Sequence, residues 1–187
     1  GRIAFPIFCF LWVEGFLHTR NVAKYAFRML LFTLISEIPF DLALKGSWYY
    51  PEKQNVYTTL LIGLLVLICF RLTERFLSGG RLLNLLRILF YLIILGSGMK
   101  LATLLCTDYN FKGVFLIAML YLTKQAPAVQ CVSGACCVSW ELPAPIAFLP
   151  IWLYNGKRGL RLKYFFYWFY PVHLLLLYLL NTAIAAY

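Results

Sequence analysis

The sequence predicts an all-α fold: a polytopic helical transmembrane bundle of about seven spans, with residues 1–187 forming one transmembrane domain. Three observations lead there. Hydrophobic residues make up 63% and charged residues only 13% of the chain, with a mean hydropathy of +0.79; soluble domains are nearer half apolar and a quarter charged. The apolar residues come in runs approaching the ~20 helical residues that cross a ~30 Å hydrocarbon layer. The runs are Leu-rich without strict alternation, which favours helices over barrel strands.

The elements follow in order. The first run, 3–17, is short for a span. The second, 22–44, contains Pro39, which removes a ladder hydrogen bond and predicts a kink. The third, 55–72, is nearly uninterrupted, and the fourth, 82–105, carries Gly96 and Gly98, which permit close helix approach. The fifth, 111–124, is short; 125–137 (QAPAVQCVSGACC) has no assigned element; 138–154 and 164–186 complete the set. Connections are brief, with no linker, repeat or low-complexity tract.

The net charge of +10 does not point to nucleic acid. The basic residues sit in short clusters between apolar runs, RLTERFLSGGR and NGKRGLRLK, where membrane-flanking cations belong. No polar domain is present to read a groove. The Lys/Arg balance across the loops does not fix orientation. Arg20, Lys24, Arg28, Arg71, Arg75, Arg81 and Lys124 fall on one side; Arg2, Lys45, Lys53, Lys112, Lys157, Arg158, Arg161 and Lys163 fall on the other. The start, Gly1-Arg2, has no signal-peptide pattern, and a processed or truncated N-terminus is expected. Cys9, Cys69 and Cys106 read as small hydrophobes. Cys131, Cys136 and Cys137, as C-x4-C-C, lack a metal site's fourth ligand and spacing, so no metal is expected.

Ionisable groups within a span cost about 2.5–3.5 kcal/mol at its centre and persist when paired or facing a polar cavity. Glu14 and His18, four apart, share a helix face, with Arg20 at its end. They form either a proton-moving acid–imidazole pair or an interfacial polar cap. Glu37 and Asp41 flank Pro39 and hold either a cation or an ion pair with Arg28 or Lys100. Arg87 and Lys100 stand inside the fourth run, suited to stabilising an oxyanion, to neutralising those acids or to snorkelling. Asp108 and Tyr109 lie in a turn, where Asp108 reads as turn-forming. In FYWFYPVHLLLLYLL, Tyr170 and Pro171 precede His173, which is expected to point into the bundle as a general base or a carbonyl-bonded structural residue. Asn55 completes the expected polar pocket with Glu37, Asp41, Lys100, Asp108, Tyr109 and Tyr170. In YNGKRGLR, Gly156 and Gly159 would let backbone N–H groups approach phosphates beside Lys157, Arg158 and Arg161, or the cluster anchors the chain to the membrane surface.

The segments GRIAFPIFCFLWVEGFLHTRN, ISEIPFDLAL, QNVYTTLLIGLL, TDYNFKGV, LYNGKRG and KYFFYWFYPVHLLLLYL, in this order, resemble the TraX family of membrane proteins. That family is related to bacterial conjugation and named for pilin acetylation. The resemblance implies a multi-pass protein of the bacterial inner membrane and an acetyltransferase using acetyl-CoA. It places an amine or hydroxyl acceptor in a pilin or envelope molecule. His173, or His18 with Glu14, would be the base, and Arg20, Arg87 or Lys100 the oxyanion partner. The resemblance also implies a preceding family helix with an Asp-His pair that this chain lacks, so the chain alone is expected to be an inactive fragment if that pair is catalytic. A non-catalytic assembly factor and a transporter or channel are the alternatives.

Overall fold

The computed structural model describes residues 2–50, 52–77, 79–156 and 163–185. Among them are eight α-helices, here α1 Ala4–Leu17, α2 Val22–Lys45, α3 Val56–Phe76, α4 Arg81–Leu104, α5 Asn110–Leu122, α6 Pro127–Cys137, α7 Phe148–Trp152 and α8 Lys163–Ala185. A 3-10 turn, Ala144–Ala147, precedes α7.

Local chemistry sets the helix limits. Asn21 caps α2 by accepting from the Lys24 N–H at 2.9 Å, and Gly46, at φ 65°, ends it. Asn55 caps α3 by accepting from the Tyr57 N–H at 2.9 Å. Among the described residues three helices are long and apolar enough to cross a membrane: Val56–Phe76, Arg81–Leu104 and the Tyr167–Ile184 part of α8. At 1.5 Å per residue α3 and α4 are about 32 and 36 Å long. By the same rise α1, α5 and α6 reach only about 21, 20 and 17 Å. α2 has the length, but Arg28, Glu37 and Asp41 make it too polar for the same class. Of the expected seven spans, three are shown by length and apolarity among the described residues.

The sixth predicted helix, 138–154, is overturned. Pro143, Pro145 and Pro150 break that stretch into turns, the 3-10 piece and the five-residue α7. The helix lies instead in 127–137, opened by Pro127, whose missing N–H costs nothing in a first turn. The consequence is topological. α6 brings the chain to 140–141, beside Lys112 and Arg2, and 144–156 returns it to the end where α1 finishes. Gly156 therefore sits with His18 and Arg20, not with Lys45 and Lys53 as the loop count placed this segment.

The core is α3 against α5, with Leu64, Leu67, Phe70, Leu116, Ile117 and Leu120 buried. α1 closes on α5, α4 packs on α3 and α5, and α8 lies along α2. Gly98 does what its type predicts: a Cβ there would strike Val66 of α3, whereas Gly96 faces open space. α4 turns Leu82, Leu85, Ile88, Leu92 and Ile93 outward. A row of exposed aliphatic side chains on a long helix suits hydrocarbon, not water, and the chain is a membrane protein.

Candidate functional site

α1 packs on α3, α5 and α7, while α2 packs on α3 and α8. A cleft of ≈ 750 Å³ opens between these two groups. Its α1 wall is Phe8, Leu11, Trp12 and Gly15, at i, i+3, i+4 and i+7, one face of a helix. Glu14, His18, Thr19 and Arg20 form the polar mouth where α1 ends. α2 contributes Tyr25 and Arg28, α3 Tyr57 and Leu60, and Tyr154, Gly156 and Tyr167 close the remaining sides.

The aromatic wall is ordered by ring contacts and hydrogen bonds. The Tyr25 hydroxyl donates to the Trp12 carbonyl at 3.3 Å, with ring centroids 4.9 Å apart. The Tyr57 hydroxyl donates to the Tyr167 carbonyl at 3.1 Å, and Tyr167 stacks on Phe32 at 4.8 Å. Burial, with the charge of Glu14 added, pushes the Tyr154 phenol above its ordinary range, so Tyr154 is a neutral donor beside that carboxylate.

At the mouth, His18 Nδ1 lies 2.9 Å from the Glu14 carbonyl and 3.6 Å from Glu14 Oε2. With Nδ1–H donating to that carbonyl, a neutral ring presents Nε2 as its lone-pair nitrogen. Neither Arg20 nor Arg28 forms a salt bridge among the described residues. Among the described residues the cleft thus combines an imidazole base oriented by the Glu14 carbonyl, the Glu14 carboxylate 3.6 Å away and two guanidinium groups without a carboxylate partner. That set can accept a proton and stabilise developing negative charge. Among the described residues no three His, Cys, Asp or Glu side chains gather within metal-ligating reach.

The remaining predicted residues do not join this cleft, and a single shared pocket is not what the fold builds. Asn55, fully buried, donates from Nδ2 to the Thr33 carbonyl at 2.9 Å and to the Glu37 carboxylate. Asp41 accepts from the Tyr50 N–H at 2.8 Å, closing the 46–54 loop. Neither Arg28 nor Lys100 pairs with these acids among the described residues. The Tyr170 ring lies 5.0 Å from that of Tyr57, which lines the cleft, but Tyr170 itself does not. Asp108 pairs with Lys53 at 2.7 Å and Tyr109 stacks on Phe5, a loop clasp on the far end of the bundle.

His173 does not turn inward. Its Nδ1 lies 2.9 Å from the Phe169 carbonyl one turn back, on a helix whose outer surface is largely exposed. The reason is that α8 packs mainly along α2, with Tyr167 and Tyr170 reaching Tyr57 of α3, and so leaves most of its circumference outside the bundle. Arg87 stands half-buried on α4, close enough to act electrostatically on Tyr91, and Lys100 is exposed on the same helix. Tyr91 belongs to a separate network: Glu74 accepts from Tyr91 at 3.1 Å and Tyr121 at 3.0 Å and meets Lys124 at 3.5 Å. Gly156 lines the cleft; Lys157, Arg158, Gly159 and Arg161 lie outside the described residues. Sequence reasoning treated Arg28 only as an ion-pair partner and passed over Trp12, Tyr25, Tyr57, Tyr154 and Tyr167. The spacing of Phe8, Leu11, Trp12 and Gly15 was the available signal, since it gives α1 a second apolar face.

The family model described as TraX protein matches residues 1–181, almost the whole chain. This protein belongs to the TraX family. The motif order read from the sequence is thereby accounted for along its length. The chain is also similar to the probable fimbrial assembly protein FimC, serogroup H1, of Dichelobacter nodosus, 30% identical over 206 residues that cover 95% of this chain and 79% of that protein. No solved structure matches the chain.

Proposed function

We propose that this TraX-family protein is a multi-pass acyltransferase of the bacterial inner membrane. It moves an acetyl group from acetyl-CoA to an amine or hydroxyl of a pilus-related or envelope acceptor. The observation that carries the reading is the Glu14–His18 pair at the mouth of the cleft, with Nδ1 held 2.9 Å from the Glu14 carbonyl and Nε2 left to act. His18 Nε2 takes the proton from the attacking amine or hydroxyl. The nucleophile bonds to the thioester carbonyl carbon, and Arg20 offsets the oxyanion charge. The C–S bond then breaks, and the imidazolium returns its proton to the departing thiolate, giving free thiol and the acetylated acceptor. Glu14 stabilises the imidazolium while it exists. Gly156, with Lys157, Arg158, Gly159 and Arg161 following it, is the segment assigned to the donor's phosphates. The half-exposed His173, bonded to the Phe169 carbonyl, is left outside the chemistry.

The test is transfer of labelled acetyl from acetyl-CoA to membrane components by the full chain in proteoliposomes. Label appearing with the protein and absent without it supports the reading; no label above the protein-free control sinks it. A second reading, a non-catalytic assembly factor, is favoured by the similarity to the probable fimbrial assembly protein of Dichelobacter nodosus. Co-isolation of a pilin-type partner without any transfer would select it.

A further inference from the structure

Arg28 poses a question that the transfer chemistry leaves unanswered. It lies in the second turn of α2, half-buried on the cleft wall with Tyr25. Tyr25, one turn earlier, already lies against Trp12 and beside Gly15. A shielded donor on a charged group is costly to leave without an acceptor. Arg28 nevertheless has no carboxylate partner among the described residues, although Glu37 and Asp41 lie on the same helix. Arg28 Nε and Trp12 Nε1 are both shielded and both lack an acceptor. Two such donors on residues that line one cleft, one of them cationic, are complementary to an anionic oxygen group.

The wall beyond them is apolar. Phe8 and Leu11 continue the α1 face away from the mouth, and Leu11 is exposed on the outer surface. Among the described residues the cleft therefore joins a polar mouth and a cation without a carboxylate partner to an apolar flank that includes the exposed Leu11. Its ≈ 750 Å³ lies within the range of ligand-binding cavities, roughly 300–1,000 Å³.

We propose that the α1–α2 cleft is a binding site for a membrane phospholipid, with its phosphate on Arg28 and Trp12 and its hydrocarbon along Phe8 and Leu11. The charge and the polarity gradient select a phosphate-bearing amphiphile. The open apolar flank selects the bilayer as its source, because free phosphate or a soluble nucleotide has no use for that wall. Binding stands on this geometry alone; only a role for the lipid in presenting the acceptor rests on the transferase reading.

The experiment uses the full chain in vesicles of phosphatidylethanolamine and phosphatidylglycerol. A trace of phosphatidylglycerol carries a photoactivatable group in its acyl chain, and labelled peptides are identified by mass spectrometry. Labelling is expected on α1 between Phe8 and Trp12. Arg28→Gln should reduce it by about tenfold, the effect of losing one hydrogen bond to a charged group, and Arg28→Lys should retain most of it. Lys24→Gln, on the exposed side of α2, should leave it unchanged. Leu11→Trp should block the apolar flank without altering charge, so α1 labelling falls while background labelling of the outward face of α4 persists and reports an intact fold. Equal α1 labelling in wild type and Arg28→Gln overturns the proposal. So does displacement of the lipid by excess soluble coenzyme A or inorganic phosphate, which would reassign Arg28 to a soluble ligand. Loss of acetyl transfer with lipid labelling intact would count against the transferase reading and leave the lipid site standing.

Discussion

Replacing Asn55 with alanine should destabilise the bundle more than any other single polar deletion in α2 or α3. Asn55 is fully buried and serves three partners: the Tyr57 N–H at 2.9 Å, the Thr33 carbonyl at 2.9 Å and the Glu37 carboxylate. The first is a helix cap, worth about 1 kcal/mol. The other two join α3 to α2, and interhelical hydrogen bonds in membranes average about 0.6 kcal/mol each, with a maximum near 1.7. The deletion also strands the Glu37 carboxylate, whose second oxygen already lacks a partner. Protonation of Glu37 limits that penalty. The expected loss is about 2–3 kcal/mol. The assay is reversible unfolding in mixed micelles, comparing Asn55→Ala with Asn55→Ser. Serine can keep the cap but not the reach to Glu37, so it should recover about 1 kcal/mol. A loss below about 0.5 kcal/mol for alanine, the level of an ordinary surface change, would refute the tie between α2 and α3.

Three further outcomes follow from particular contacts. Gly98→Leu should overpack the α3–α4 contact at Val66, costing about 1–3 kcal/mol in the same unfolding assay, while Gly96→Leu, which faces open space, should change little. Burial first, then Asp108, raises the Tyr109 phenol above its ordinary 10.0, so the folded protein holds that proton more tightly than the unfolded chain. Stability from this group is complete below pH 10 and declines as pH rises above it; Tyr109→Phe, which keeps the stacking on Phe5, should show a shallower alkaline decline in melting temperature. Glu74→Ala leaves the Tyr91 and Tyr121 hydroxyls and Lys124 without their shared partner, and should cost about 1–3 kcal/mol, with Glu74→Gln recovering part.

The helical class and the positions of α1 to α5 were legible because long apolar runs and the caps Asn21 and Asn55 are local signals. The 125–156 region was misread: 125–137 carried no clear helix signal, and the apolar composition of 138–154 suggested a helix there. Pro143, Pro145 and Pro150 each remove a backbone donor, and together they outweigh composition. At the site, the Glu14–His18 pairing was readable, since spacing of four on one helix fixes proximity. The separation of Glu37, Asp41, Arg87, Lys100 and His173 from that pair was not. Each is a polar residue in an apolar run, and only packing decides which face is turned inward. α4 and α8 lie at the margin of the bundle, so Arg87, Lys100 and His173 stay with the outer helices. Arg28 was read as an ion-pair partner for those acids; that it has no carboxylate partner among the described residues is a fact of three-dimensional arrangement that no spacing encodes.

The central claim is that chemistry resides in the α1–α2 cleft and not at the outer helices. The measurement that tests it most directly is the acetyl-transfer rate of four variants in parallel proteoliposomes: His18→Ala, Glu14→Gln, His173→Ala and Arg87→Ala. The account predicts that His18→Ala falls by about 10²–10⁴-fold, the usual worth of a general base, that Glu14→Gln falls by less, and that the other two stay near wild type. Full activity in His18→Ala together with its loss in His173→Ala would contradict it.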